Sequence, residues 1–464
     1  MANTALKYSY IYPFSSTFVP SSAGLSDTPG EAKLTLATTP HQGSYPYFFE
    51  GRLQSPRVVS QMLRALSQIV STRFYVPPGM LRRIILERDP VVTSGGGILR
   101  FEGFSACCSA YARLDVSPEG YQGEIVGEGT TNVDFNSDTR AALAAVRDGE
   151  ALKVSVGKEE LKIDHGESSV VERNVDLPER WIKGFVEVQA YQSRMERRFT
   201  VGRVEALKFL RSLPRNVNNS ADFYLVSTGQ GSDTGLRLGA RKIKDGVRIA
   251  GMKRLNILAD LAPFLDELSV YATADGEASE WRLDCGGVSF CLTITADVSR
   301  GFSGEGQVLS ALVGAEALNL GRVHANLKWQ SCIDASEFSV LCSMEPHSVN
   351  HALALLGSQG MVGYDLNFGG FFHRELPFRL EEAESIHPRL KGARTLIDQG
   401  AVKVLSRGNG LVSAQVQGSG VIHMVKVGDV EFCTCPWHSK YQGSRGQCKH
   451  ILSVLMFEQN ENRR

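Results

Sequence analysis

The chain reads as an α+β protein, and three features of its 464 residues carry that expectation. Short segments with apolar side chains at helical spacing recur along it, and each precedes runs that alternate apolar and polar. Gly-rich turns separate the alternating runs closely, which suits antiparallel hairpins. Beyond residue 384 the same rhythm appears once more in miniature and ends in a crowded set of cysteines with one histidine.

Taken in order, residues 14–45 are rich in Ser, Thr, Pro and Gly and read as loop or loosely packed extension. Ser55 and Pro56 look like an N-cap followed by proline at the first helical position. Val59, Met62, Leu63, Leu66, Ile69 and Val70 then continue a helix to residue 72. The stretch 91–115 alternates around Gly-rich turns, as strands do. Ser137 caps a helix over 138–147, followed by the strands LKVSV and ELKI. Residues 202–213 give another helix before FYLVS and LRLGA. Residues 252–266 repeat it, kinked at the proline, before ELSVYAT, WRLDC and VSFCLTIT, and residues 347–357 begin one more unit. Helix then meander, several times over, places helices on one face of antiparallel sheet. The repetition is one of rhythm, because the residues themselves do not match.

A boundary follows the charged run RLEEAE at 379–384 and the Ile386-His387-Pro388 step. Residues 389–399 form a helix with Leu390, Ala393, Leu396 and Ile397 on one face and Gly400 as its stop. The strands VKVLS, VSAQVQ and VIHMVKV come next, with Gly418-Ser419-Gly420 as a hairpin turn. The expected domains are therefore residues 1–197 and 198–383, both α+β, and a small C-terminal module at 384–464.

Hydrophobic residues make up 42% and charged ones 22%, the balance of a globular chain rather than a disordered one. The zero net charge conceals an asymmetry. Residues 386–464 hold 11 Lys+Arg against 5 Asp+Glu, or +6, which leaves 39 against 45, or −6, for the rest. A basic tail on an acidic body points the tail toward polyanions. No apolar run approaches the roughly 18 residues that span a bilayer, so no membrane contact is expected. The opening MANTALKYSYIYPF lacks the basic start and apolar stretch of a secretory signal. Nine cysteines, three of them in one short motif, suit a reducing cytoplasm and a single metal site.

That motif is Cys433-Thr434-Cys435, a loop containing Pro436, Trp437, Gly443 and Gly446, then Cys448-Lys449-His450. Three thiolates and one imidazole satisfy a tetrahedral zinc ion and leave no open position. Two close ligands clamp one side, and the glycine-containing loop swings the chain round to supply the other pair. Ile451, Val454, Leu455 and Phe457 would pack back on the hairpin, so that the ion stands in for a core the module is too short to build. An iron–sulfur cluster is the rival reading, and the single imidazole argues for zinc. His438, inside the loop, reads as solvent-exposed or as a neighbour of the ligands.

CxC-x12-CxH after a meander with GSG and before HILSVLMF resembles the SWIM zinc finger, over residues 386–458. The resemblance implies zinc ligands at Cys433, Cys435, Cys448 and His450, and a ββα module that binds nucleic acid or protein. The segments GTTNVDFN, LPERW and RGFSGEG look similar to bacterial SWIM proteins of about this length. Those are associated with AAA ATPases in conflict or repair systems.

Other candidates carry less. Cys107 and Cys108 are adjacent and read as core cysteines on a strand, and Cys285, Cys291, Cys332 and Cys342 are scattered. His347 and His351 stand at i, i+4 without the glutamate of an HExxH site. Asp134 reads as a turn aspartate. Gly157-Lys158 is followed by Glu159 and is no phosphate loop, and SGGG at 94–97 lacks the helix a dinucleotide fold needs. The chain is expected not to be an enzyme. Arg57 with Arg64, Arg140 with Arg147, and Lys208 with Arg211 and Arg215 place basic stripes on three helices, an arrangement similar to that of sliding clamps. The reading is thus a scaffold body, sliding-clamp-like in one version, carrying a zinc module that contacts DNA or RNA. Lys440, Arg445 and Lys449 would neutralise phosphates, and Trp437 would stack on a base or plug the module's core. The alternative is a protein adaptor that docks a partner such as an ATPase.

Overall fold

The computed structural model describes residues 47–75, 90–124, 127–132, 137–147, 151–157, 179–218, 221–229, 235–299, 301–303, 317–376, 388–408, 410–428, 430–443 and 445–462. It also describes the short segments 10–11, 17–19, 31–36 and 174–175. Helices are α1 (Pro56–Ser71), α2 (Ser137–Ala145), α3 (Glu179–Gln192), α4 (Arg203–Ser212), α5 (Ala317–His324), α6 (Ala335–Cys342) and α7 (Pro346–Ser358). The C-terminal module adds α8 (Pro388–Asp398), α9 (Pro436–Tyr441) and α10 (Lys449–Asn462). No helix among the described residues is long and apolar enough to cross a membrane.

An eight-stranded antiparallel sheet organises the body. Its order is Glu196–Gly202, Glu267–Ala272, Ala278–Asp284, Val288–Thr295, Ala110–Val116, Ile98–Phe104, Val91–Gly95 and Gly129–Asn132. The boundary expected at 197/198 falls inside the first of these strands. One core runs across it from Phe49 to Phe302, because the pairing of Val288–Thr295 with Ala110–Val116 joins what a linear reading of helix-plus-meander units separates. A second sheet contains Glu31–Leu36, inside the stretch read as loop. Its EAKLTL alternation pairs in parallel with Ala151–Gly157, the one departure from antiparallel pairing in that sheet. ELKI at 160–163 and Asp134 lie outside the described residues.

Several elements follow directly from local sequence. The helix α1 starts at Pro56, which has no amide hydrogen to leave unpaired, although Ser55 makes no side-chain capping bond. The segment read as a helix over 252–266 is a 3-10 turn series at Met252–Asp260. Met252, Leu255, Leu258 and Leu261 are buried at every third position, the spacing that three residues per turn align. The helix α3 left no sequence signature. Trp181, Ile182, Phe185, Val186 and Val188 are buried together with Glu187, Gln189 and Gln192, so no polar stripe marks an outer face.

One face of the large sheet is lined by cross-strand polar residues. Arg100 lies opposite Asp115, Glu102 opposite Arg113, and Arg113 opposite Cys291, which in turn lies opposite Arg282. Alternation of this kind suggests a solvated face. Instead the hairpin Val362–Asp365/Gly370–His373 covers it, and Arg100, Glu102 and Arg113 are fully buried. Asp365 accepts an ion pair from Arg113 at 2.8 Å, Arg374 pairs with Glu102, and the Arg100 guanidinium sits 4.0 Å from the Phe372 ring centre. Burial alone would raise the Asp365 carboxyl, but Arg113, Arg100 and Arg282 outweigh it and hold it at about 2. Residues 317–376 otherwise close a small core of their own around Phe338, Val349, Leu353 and Phe371.

The module is larger than ββα. Four antiparallel strands (Val402–Gly408, Leu411–Gln417, Ile422–Val427 and Phe432–Cys433) form a sheet whose inner face packs on α10. Leu390 and Ala393 of α8 pack on Leu452 of α10. This core shares no residue with those of the body.

Candidate metal centre

Each of the four expected ligands is delivered by a different local device. Cys433 points inward from the last strand, opposite Val425 in the register. Cys435 is the N-cap of α9, where Pro436 opens the helix and the His438 amide donates to Cys435 Sγ at 3.4 Å. Cys448 precedes α10, and the Ile451 amide donates to its Sγ at 3.5 Å. His450 stands in the first turn of the same helix. Two of the three sulfurs thus accept from helix N-terminal amides, which favour the thiolate form, although burial raises the Cys435 thiol on balance.

All four residues are buried, and their ligand atoms lie within 4.8 Å of one another. The His450 Nδ1 is 3.8 Å from Cys433 Sγ. A tetrahedral zinc ion with ordinary Zn–S and Zn–N distances sets that edge at about 3.6 Å. The other ring nitrogen of His450 is buried without a hydrogen-bond partner, and the ring lies 4.3 Å from that of His423. Crowding shows in the thiols themselves. The hydrogen bond from Cys433, with help from His450 and the Ile451 amide, holds Cys448 down at about 4, while the same bond and burial push Cys433 well up. Three thiols and an imidazole gathered in one buried cluster could hold a metal ion, and the donor set and spacing fit zinc. Four protein donors leave no vacancy for a substrate, so such an ion would hold structure.

The loop residues fare differently from one another. Lys440 is exposed. Lys449 is half-buried, its stem lying over the backbone of Gly392. Trp437 is half-buried between the Arg389 guanidinium and the Tyr441 ring, each 4.6 Å away, and its indole N–H donates to the Gly446 carbonyl at 3.4 Å. The Trp437 ring is therefore in contact with two groups of the module itself. Arg445 pairs with Asp297 of the body at 2.9 Å and lies over the Tyr441 ring. His438 stands outside the ligand set, its ring against Phe432.

Three contributors were not foreseen. Arg389 donates to the Arg445 and Gln447 carbonyls at 2.7 and 3.0 Å and ties α8 to the loop. His423 reaches the site through strand register, and Asp297 through the docking of module on body; neither has a spacing that a sequence displays. Among the described residues no second metal-ligand group forms. His347 and His351 are exposed on α7, and Cys107 and Cys108 are buried in the turn between two strands rather than on one. Gly96 and Gly97 of SGGG make a hairpin turn, with φ of +54° and +83°. Trp329 and Ser331 approach that turn too closely for any Cβ at Gly95 or Gly96.

No family model matches the chain, and no curated protein matches it. Among solved structures, the crystal structure of proliferating cellular nuclear antigen from Entamoeba histolytica is similar over 54% of this chain and 98% of its own. The identity is 11% and the TM-score 0.33, a likeness too slight to carry an inference about fold or function.

Proposed function

We propose that residues 384–464 are a SWIM-type module in which zinc, held by Cys433, Cys435, Cys448 and His450, rigidifies a surface that contacts nucleic acid. The body serves as a scaffold, and neither part is catalytic. The observation that carries this reading is charge: +6 on residues 386–464 against −6 on the rest, with no Asp or Glu in any of the module's four strands. Phosphate contacts release counterions, so binding should fall steeply with salt, by a log–log slope of about 0.7 to 0.9 per contact. Lys440→Ala should lower that slope by about one contact's worth while metal content is unchanged. Equal slopes for parent and variant would remove Lys440 from the interface.

A second reading, the protein adaptor, is favoured by one feature of the body. Val340 and Leu341 stand side by side on α6 with 80% and 62% of their surfaces exposed. An apolar pair of that kind suits a protein partner, an ATPase among the possibilities, and binding through it would vary little with salt.

A further inference from the structure

Seven of the eleven exposed large apolar side chains among the described residues belong to the small C-terminal module: Leu405, Leu411, Val421, Ile422, Met424, Val430 and Phe432. Strand register explains how three of them come together. Val402, Val404, Ala414, Val416, Val425 and Cys433 turn inward to the metal and α10. The alternate positions must then face away. Lys403 pairs with Gln415 and Gln415 with Met424; Ser413 pairs with Lys426 and Lys426 with Phe432. Directly opposed residues share a face. The outer face therefore presents Phe432, Met424 and Ile422 at 46%, 39% and 55% exposure, flanked by Lys403 and Lys426. Gln415 and Ser413 add hydrogen-bonding groups, and the His438 ring extends the row from α9, 5.7 Å from the Phe432 ring.

Resting on the nucleic-acid reading above, we infer that this outer sheet face is a platform for single-stranded nucleic acid. Unpaired bases would lie on Phe432 and Met424, and the phosphates would meet Lys403 and Lys426. Charge complementarity favours a polyanion, since this face carries Lys403 and Lys426 and the strands hold no acid, while Arg407 is taken up by Glu458 of α10. The apolar row distinguishes strand from duplex. A duplex presents phosphate ridges and would leave those side chains in water, whereas unstacked bases cover them. Aromatic stacking tolerates any base, so sequence preference is weak. The platform also supplies what Trp437 does not, because that ring already lies against Arg389 and Tyr441.

The test uses the full chain loaded with zinc, a labelled oligothymidine of about 20 nucleotides and a duplex of the same length, titrated by fluorescence anisotropy. The strand should bind about tenfold tighter than the duplex, and Phe432→Ala should weaken strand binding by about tenfold at unchanged zinc content. The double variant Lys403→Ala/Lys426→Ala should flatten the salt slope by about 1.4, two contacts at the single-strand value. Should Phe432→Ala lose the metal, Met424→Ser on the same face decides instead. Equal affinity for duplex and strand, or full strand binding by both apolar variants, overturns the platform and leaves Lys440 and its loop as the contact. No retention of either nucleic acid at low salt sinks both readings. A concentration-dependent dimer that Phe432→Ala abolishes, with no oligonucleotide bound, would assign the face to a second copy and overturn the platform.

Discussion

Cys448 shows how much a single side chain can decide. It immediately precedes α10, accepts the Ile451 amide and faces Cys433, so it couples the cluster to the longest helix of the module. Cys448→Ser is expected to reduce bound zinc from one ion per chain to a small fraction, because three ligands lose both affinity and loop closure. Metal analysis of purified parent and variant checks this, and undiminished zinc would refute the ligand assignment. The cluster of three cysteines and a histidine was legible in the sequence because the identity and spacing of those residues are local. Arg445 was not: its charge marked it as a phosphate contact, but nothing along the chain reveals that Asp297 stands 2.9 Å away.

Among elements, the hairpin Val362–Asp365/Gly370–His373 is the most informative, since it turns an apparently solvated sheet face into an interior. Asp365 is its anchor, held at about 2 against the usual 3.8 by Arg113, Arg100 and Arg282 over the opposing effect of burial. A depressed carboxylate contributes stability that is fully present above the unfolded value and is lost as pH falls through the folded one. Asp115 beside it is raised by burial and so takes up its proton first. Asp365→Asn should therefore destabilise the body by about 3 to 5 kcal/mol near neutrality, the usual consequence of leaving buried charge uncompensated. The difference should close between roughly pH 4 and pH 2. Thermal unfolding of parent and variant at pH 7, 4 and 2.5 measures it, and a gap of constant size would exclude the ion lattice as the cause. The strands under the hairpin were readable from their alternation. What covers them was not, because alternation reports two faces and says nothing about which one meets water.

At the scale of the whole molecule, separate cores predict separate unfolding. The metal-site core around Val416, Val425 and Ile451 shares no residue with the body's. Chelation should therefore remove one calorimetric transition and leave the other, and a chain ending at residue 383 should keep the remaining transition at nearly the same temperature. Loss of both transitions on chelation, or aggregation of the shortened chain, would make the module part of the body's fold. By itself the sequence determined what depends on neighbours along the chain: the helix at Pro56, the module's strands and the cluster of three cysteines and a histidine. Such features need only residue type and spacing, which covalent geometry carries into space. Only the tertiary structure decided what depends on distant pairs. The pairing of Val288–Thr295 with Ala110–Val116 joins two expected domains into one sheet, Arg374 reaches Glu102, and Asp297 takes Arg445. Those contacts form because burial and charge pairing are satisfied in three dimensions at once, and their partners lie between 148 and 272 residues apart, beyond the reach of any local pattern.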